Sequence, residues 1–163
     1  MPSAEADTWL ARFGVSREHW EQALELAGIY REHYCIYNNG RPRADEVVAE
    51  CRALGKAGEV RLFLADSDIT DDGLRSLAGL TVRELYLDRT RITDRGVGYI
   101  RDIEGLWFVR LPLCPVTDAA VPDLLAMCRP NGTVVRIILQ NTKLTQAGAE
   151  RLKAMKDCEI DAP

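Results

Sequence analysis

Between Glu59 and Met155 the apolar and polar positions follow one fixed order, and that order is written four times. Each copy opens with two apolar residues separated by one: Leu62 and Leu64, Leu85 and Leu87, Val109 and Leu111, Ile137 and Leu139. A period of two is the mark of a strand with one face buried. A small polar residue follows, then an aliphatic one (Ile69, Ile92, Val116, Leu144), then Thr70, Thr93, Thr117 or Thr145. Beyond each Thr the period changes. Four, seven and ten residues on, the chain is apolar at Leu74/Leu77/Leu80, Val97/Ile100/Ile103, Val121/Leu124/Met127 and Ala149/Leu152/Met155, which is one face of a short helix. The Thr suits a helix N-cap, where its hydroxyl accepts from an otherwise orphan amide. Asp71, Asp94 and Asp118 then fall in the first turn, where the helix dipole favours negative charge, and Gln146 takes that place in the last copy. Gly73, Gly96, Ala120 and Gly148 stand three residues past the Thr. An early-helix Gly costs roughly 1 kcal/mol against Ala, so its recurrence predicts close approach of the neighbouring copy's backbone.

The four Thr lie 23, 24 and 28 residues apart. One strand and one helix in each such step predicts a stack of repeats, with a parallel sheet on one side and helices on the other. The long third step holds Arg129-Pro130-Asn131-Gly132, a turn-rich insertion. Pro122, just inside the third helix, predicts an irregular first turn there.

The segments LFLADSDITDDGLRSLAGL and LYLDRTRITDRGVGYIRDI resemble ribonuclease-inhibitor-like and cysteine-containing leucine-rich repeats. MCRPNGTVVRIILQNTKLTQAGAERL is similar to the cysteine-containing type, although only Cys114 puts Cys at the small polar position, filled elsewhere by Ser67, Thr90 and Thr142. The resemblance covers residues 45 to 160. It implies an α/β leucine-rich-repeat solenoid that recognises protein through its concave sheet and has no catalysis of its own. Many members of the family serve as ubiquitin-ligase adaptors, which makes an adaptor or scaffold subunit the alternative reading. No Leu-Pro-rich F-box-like segment precedes the repeats.

Residues 1–43 lie outside the repeat and are expected to form an N-terminal helical cap; residues 44–163 are expected to form the solenoid of about four full repeats. Thr8 to Phe13 reads as a short helix stopped by Gly14, and Ser16 can cap a longer one running to about His33. Trp9, Phe13, Trp20 and Tyr30 supply the cap's aromatic side. Tyr34 to Tyr37 suggests a strand, Asn38-Asn39-Gly40 a turn, and Asp45 to Leu54 a helix. At the far end Ile160 is expected to add no more than half a strand, which leaves a thin cap. A monomer is expected, with a homodimer through that end as the alternative.

Composition changes this picture little. Apolar residues make up 47% and charged residues 28% of the 163 residues, as in ordinary globular proteins. The net charge of -4 speaks against nucleic acid. A helix-turn-helix reading of LARFGVSREHWEQAL is weak for the same reason: Glu18, Glu21 and Glu25 would repel phosphates. No apolar run is long enough to span a bilayer and the N-terminus lacks a basic signal region, so a cytoplasmic protein without membrane contact is expected. Cys35, Cys51, Cys114, Cys128 and Cys158 are odd in number and form no CxxC pair, so free buried thiols are expected. His19 and His33 have no nucleophile at useful spacing, and no nucleotide-binding or hydrolase motif occurs. Asp66, Asp68, Asp71 and Asp72 miss a calcium loop, because Leu77 stands where the bidentate Glu belongs. The expectation is no enzyme, no cofactor and no metal.

Alternation also names the side chains on the opposite, partner-facing side of the strands. Across the middle these are Phe63, Tyr86, Arg110 and Ile138. One flank carries Arg61, Glu84, Phe108 and Arg136, the other Ala65, Asp88, Pro112 and Gln140. Aromatic rings beside arginines match the make-up of protein interface hot spots. The candidate binding residues are therefore Phe63, Tyr86, Phe108, Arg110, Arg61, Arg136, Ile138 and Asp88.

Overall fold

The computed structural model describes residues 33–40, 42–54, 59–128, 135–155 and 158–162. The chain divides into two compact units, residues 1–33 and 34–163, and only the second is described below. The helices expected over residues 8–33, and with them most of the expected cap, lie outside the described residues.

Strand and helix alternate along this unit: β1 (His33–Tyr37), α1 (Ala44–Leu54), β2 (Glu59–Phe63), α2 (Asp71–Arg75), β3 (Val82–Tyr86), α3 (Asp94–Arg101), β4 (Phe108–Arg110), α4 (Val121–Met127), β5 (Val135–Ile138), α5 (Gln146–Lys153) and β6 (Cys158–Asp161). All six strands join one sheet in chain order. From β2 to β6 each strand runs parallel to the next, and each helix packs on its successor. The order follows from backbone bonds across equivalent residues. Leu64 N–H donates to Tyr86 O at 2.9 Å, Leu87 N–H to Arg110 O at 2.9 Å, and Leu111 N–H to Ile138 O at 2.8 Å.

The core sits between sheet and helices, where the sequence period puts it. Leu62, Leu64, Leu85, Leu87, Val109, Leu111, Ile137 and Leu139 are wholly buried, as are Leu74, Leu77, Val97, Ile100, Val121, Leu124 and Leu152. Met155 alone of the expected helical apolar positions is half-buried.

After β2 to β5 the chain turns through a left-handed residue at the same place in each copy: Asp66 (φ 57°), Arg89 (56°), Leu113 (61°) and Asn141 (56°). That conformation costs an ordinary side chain about 1 kcal/mol. What holds it is the neighbouring copy, because the inter-strand ladder runs on through the turn. Asp66 N–H reaches Asp88 O and Arg89 N–H reaches Pro112 O, both at 2.9 Å, and Leu113 N–H reaches Gln140 O at 3.0 Å. The small polar residue next in line then closes the turn: the hydroxyls of Ser67, Thr90 and Thr142 donate back to Leu64, Leu87 and Leu139 O at 2.6, 2.8 and 2.9 Å. The Cys114 thiol instead donates to Leu87 O of the preceding strand, at 3.1 Å.

The acids of the first helical turn do more than meet the dipole. Each Asp carboxylate accepts both the amide and the hydroxyl proton of the next copy's capping Thr: Asp45 from Thr70 at 2.8 and 2.5 Å, Asp71 from Thr93 at 2.9 and 2.6 Å, Asp94 from Thr117 at 2.7 and 2.6 Å, Asp118 from Thr145 at 2.9 and 2.6 Å. The Thr oxygens accept in turn from Gly73, Arg95, Ala119 and Gly148 N–H. Every copy is thus latched to the one before. The Thr145 hydroxyl, then its amide, holds the Asp118 carboxyl below its usual range. Gln146, in the last helix, bonds Glu150 of its own helix at 2.9 Å.

The recurrent Gly has its explanation here, and it is a side chain rather than the expected backbone that comes close. A Cβ on Gly73, Gly96 or Gly148 would lie 2.0, 2.3 or 2.2 Å from Oδ1 of Asp45, Asp71 or Asp118. The third copy carries Ala120 at this position, and there the helix begins with a 3-10 turn over Asp118–Ala120 before α4. Pro122 therefore sits behind the irregular turn that its presence predicted.

Two expectations need correction. Residues near Ile160 make a full strand, β6, in register with β5 from Val135↔Cys158 to Ile138↔Asp161. Cys128 and Cys158 are joined by a disulfide, with their Cα atoms 5.4 Å apart, and Cys114 is free and buried. The odd count masked this pair, since spacing along the chain says nothing of the sheet register that brings β6 beneath the end of α4.

Candidate functional site

The strand register carries the outward side chains into continuous rows on the face turned away from the helices. Phe63, Tyr86, Arg110 and Ile138 are in line, ending at Asp161, and so are Arg61, Glu84, Phe108 and Arg136, ending at Glu159. Both rows are those read from alternation alone.

Aromatic rings dominate the β1–β4 end. Tyr37 stacks on Phe63 at 4.4 Å between ring centroids and 9° between planes, and Phe63 stacks on Tyr86 at 4.5 Å and 17°. Phe108 is tilted 52° from Tyr86 at 5.2 Å, and Trp107 stands 6.1 Å from Phe108 at 47°. Phe63, Tyr86 and Phe108 are half-buried. Tyr37 and Trp107 are exposed, at 39% and 40%. Rings on adjacent strands meet because parallel strands lie about 4.8 Å apart, close to the spacing of stacked aromatic planes.

The arginines of this face are each neutralised within the sheet. Arg61 lies 3.3 Å from Glu84, Arg136 lies 3.2 Å from Glu159, and Arg110 grips Asp88 through Nη2 at 2.6 Å and Nε at 3.0 Å. Arg89 pairs with Asp66 one turn further on. Glu84 is buried and accepts the Tyr86 hydroxyl proton at 2.8 Å. Burial, then the bond and charge of Glu84, push the Tyr86 phenol from 10.0 up to about 12. The folded state holds this proton more tightly than the unfolded one, so its contribution to stability is complete below pH 10 and is lost as the pH rises towards 12. In an absorbance titration one tyrosine step should fall near pH 12, and Tyr86→Phe should remove it. Wild-type and Tyr86→Phe titrations that coincide at high pH would contradict this arrangement.

Of the sequence-named residues, Phe63, Tyr86, Phe108, Arg61, Arg110, Arg136 and Asp88 are gathered on one face. Ile138 shares their row but is 9% exposed and offers a partner little area. Alternation left out Trp107, because its parity is that of the inward positions, yet it is 40% exposed and its ring centroid lies 6.1 Å from that of Phe108. The pair of adjacent aromatics, Trp107 and Phe108, was the available signal. Tyr37 was missed because β1 shows no copy of the repeated phrase.

Among the described residues no group of three or more His, Cys, Asp and Glu is placed to hold a metal, and no helix is long and apolar enough to cross a membrane. Burial pushes the Cys114 thiol up, away from reactive thiolate. No protein-family model matches this chain, and no curated protein matches it either.

Proposed function

We propose that this protein is a leucine-rich-repeat solenoid and a non-catalytic recognition module, binding another protein through the sheet face opposite α1 to α5. The observation that carries this reading is the run of neighbouring aromatic rings, Tyr37, Phe63, Tyr86 and Phe108, that crosses β1 to β4. Such rings leave apolar area at the surface at little entropic cost, and aromatic residues dominate binding energy where interfaces are mapped. Paired arginines at the border supply the polar rim typical of such surfaces.

The test is capture of a stoichiometric partner from native lysate by the wild-type chain, repeated with Phe63→Ala and Tyr86→Ala. Both variants should lose the partner. Each also loses one or two stacking contacts, worth about 0.5–1.5 kcal/mol apiece, so melting should fall by a few degrees with the fold retained. Retained capture by both variants, or collapse of both folds, would remove the face from the binding role.

A further inference from the structure

The last strand of the sheet is held differently from the others. The final Asp–Thr latch joins Asp118 to Thr145, and β6 lies beyond it. Gln146, where the earlier copies carry Asp, bonds Glu150 of its own helix. Burial also falls off at this end. Each of β2 to β5 has a wholly buried inward residue, Leu62, Leu85, Val109 or Ile137, whereas β6 alternates between half-buried and exposed. Ile160, in register with Ile137, is itself half-buried. The outward acids Glu159 and Asp161 meet Arg136 and Gln140, but both acids are exposed, and exposed pairs add little. In place of a latch β6 has a covalent tie. Cys128, which ends α4 and is 5% exposed, is bonded to half-buried Cys158, the first residue of β6.

We propose that this disulfide is a redox-controlled clasp. Oxidised, it keeps β6 on the sheet; reduced, it lets β6 leave while β2 to β4 stay folded. A dithiol supplies the two electrons and two protons. Its first thiolate attacks Sγ of Cys158, the less buried partner, and the Sγ–Sγ bond breaks with its electron pair passing to Cys128 Sγ, which takes up a proton. The reductant's second thiolate then attacks its own sulfur in the mixed disulfide. The reductant closes into a disulfide, and Cys158 leaves as thiolate and is protonated. Opening changes the border of the outward face. Glu159 and Asp161 leave the ends of the two rows, and Arg136 loses its carboxylate. Ile137 and Ile138, now 0% and 9% exposed, lose the strand beside them. The redox state is thereby converted into new apolar surface and an uncompensated cation on β5. The clasp stands whether or not that face binds a partner.

Hydrogen exchange on the full-length chain tests this in three states: oxidised, in excess dithiothreitol, and reoxidised with oxidised glutathione. Alkylation and mass mapping establish in each state whether Cys128 and Cys158 are bonded. The reporter is the Leu139 amide, which donates to Asp161 O at 2.7 Å. On reduction it should lose about a hundredfold in protection, while the Leu64 and Leu87 amides, bonded to Tyr86 and Arg110 O, change less than about threefold. Reoxidation should restore the first rates. Loss of protection at Leu64 and Leu87 as well would make the bond a staple of the whole fold and overturn the clasp. Unchanged exchange at Leu139 would overturn it too, because β6 would then be held without the bond. So would failure of reoxidation to restore Leu139, since the opening would not be reversible. Cys158→Ser should be open from the start and indifferent to dithiothreitol. A response in that variant equal to that of wild type would assign the effect to other cysteines and overturn the clasp.

Discussion

Gly96→Ala should destabilise the protein by about 3 kcal/mol, although the same change in most helices is favourable. Helix propensity alone favours Ala by up to about 1 kcal/mol. Here the new Cβ would lie 2.3 Å from Asp71 Oδ1 and 2.7 Å from Ile92 Cγ2. Asp71 cannot swing aside cheaply, because it accepts Thr93 N–H at 2.9 Å and Thr93 Oγ1–H at 2.6 Å. Ile92 is wholly buried and has no room to yield. Overpacking of this kind costs about 1–3 kcal/mol and occasionally more, and at this chain length 3 kcal/mol lowers Tm by roughly 6–12 °C. Gly98→Ala is the internal control: two residues on in the same helix, its Cβ would meet only Asp123 Oδ2 at 3.4 Å, and it should be neutral or slightly stabilising. The double variant Asp71→Ala/Gly96→Ala should lose less than the sum of the single changes, the sign of direct coupling. If Gly96→Ala melts like Gly98→Ala, the latch between copies is not where the carboxylate places it.

Removing the Cys128–Cys158 disulfide should cost up to about 4 kcal/mol, the loop-closure value for two residues 30 apart. The bond ties the end of α4 to the first residue of β6, the last strand of the sheet. Among the described residues that strand is also held by backbone pairing to β5, by packing against α5, and by the side-chain contacts Arg136–Glu159 at 3.2 Å and Gln140 to Asp161 at 2.7 Å. Loss of the bond should therefore show first as faster amide exchange in β6 and α5, with β2 to β4 unchanged. Cys128→Ser and wild type in excess dithiothreitol should unfold at the same denaturant concentration, and the variant should not respond to the reductant. A wild-type midpoint that dithiothreitol leaves in place would show that the two sulfurs are not bonded.

Much of this architecture was legible before any coordinates. The alternation at Leu62/Leu64 and its three copies determined which side of each strand is buried, since a one-residue slip would turn every leucine to water. The switch to helical period after Thr70, Thr93, Thr117 and Thr145 determined the helix starts, because the cap is a local hydrogen bond within three residues. From a repeated strand-and-helix unit the parallel, chain-order sheet follows, and with it both outward rows. These are local or periodic properties, and one sequence contains them.

What the sequence could not express were relations between residues on different turns of the chain. Asp71 was read as a dipole partner because the dipole is local; its bonds to Thr93 cross 22 residues. The glycines signalled a close approach but not that a carboxylate makes it. Three arginines were read as hot-spot residues beside aromatic rings, and only the structure showed each of them bound to a carboxylate, Glu84, Asp88 or Glu159. Trp107 stood on the wrong parity until its exposure was seen. Cys128 and Cys158 were counted as thiols until β6 took its place next to β5. Periodicity determines which face a residue occupies; which partner it finds there depends on the offset between neighbouring strands, and that offset is decided by packing of the whole stack.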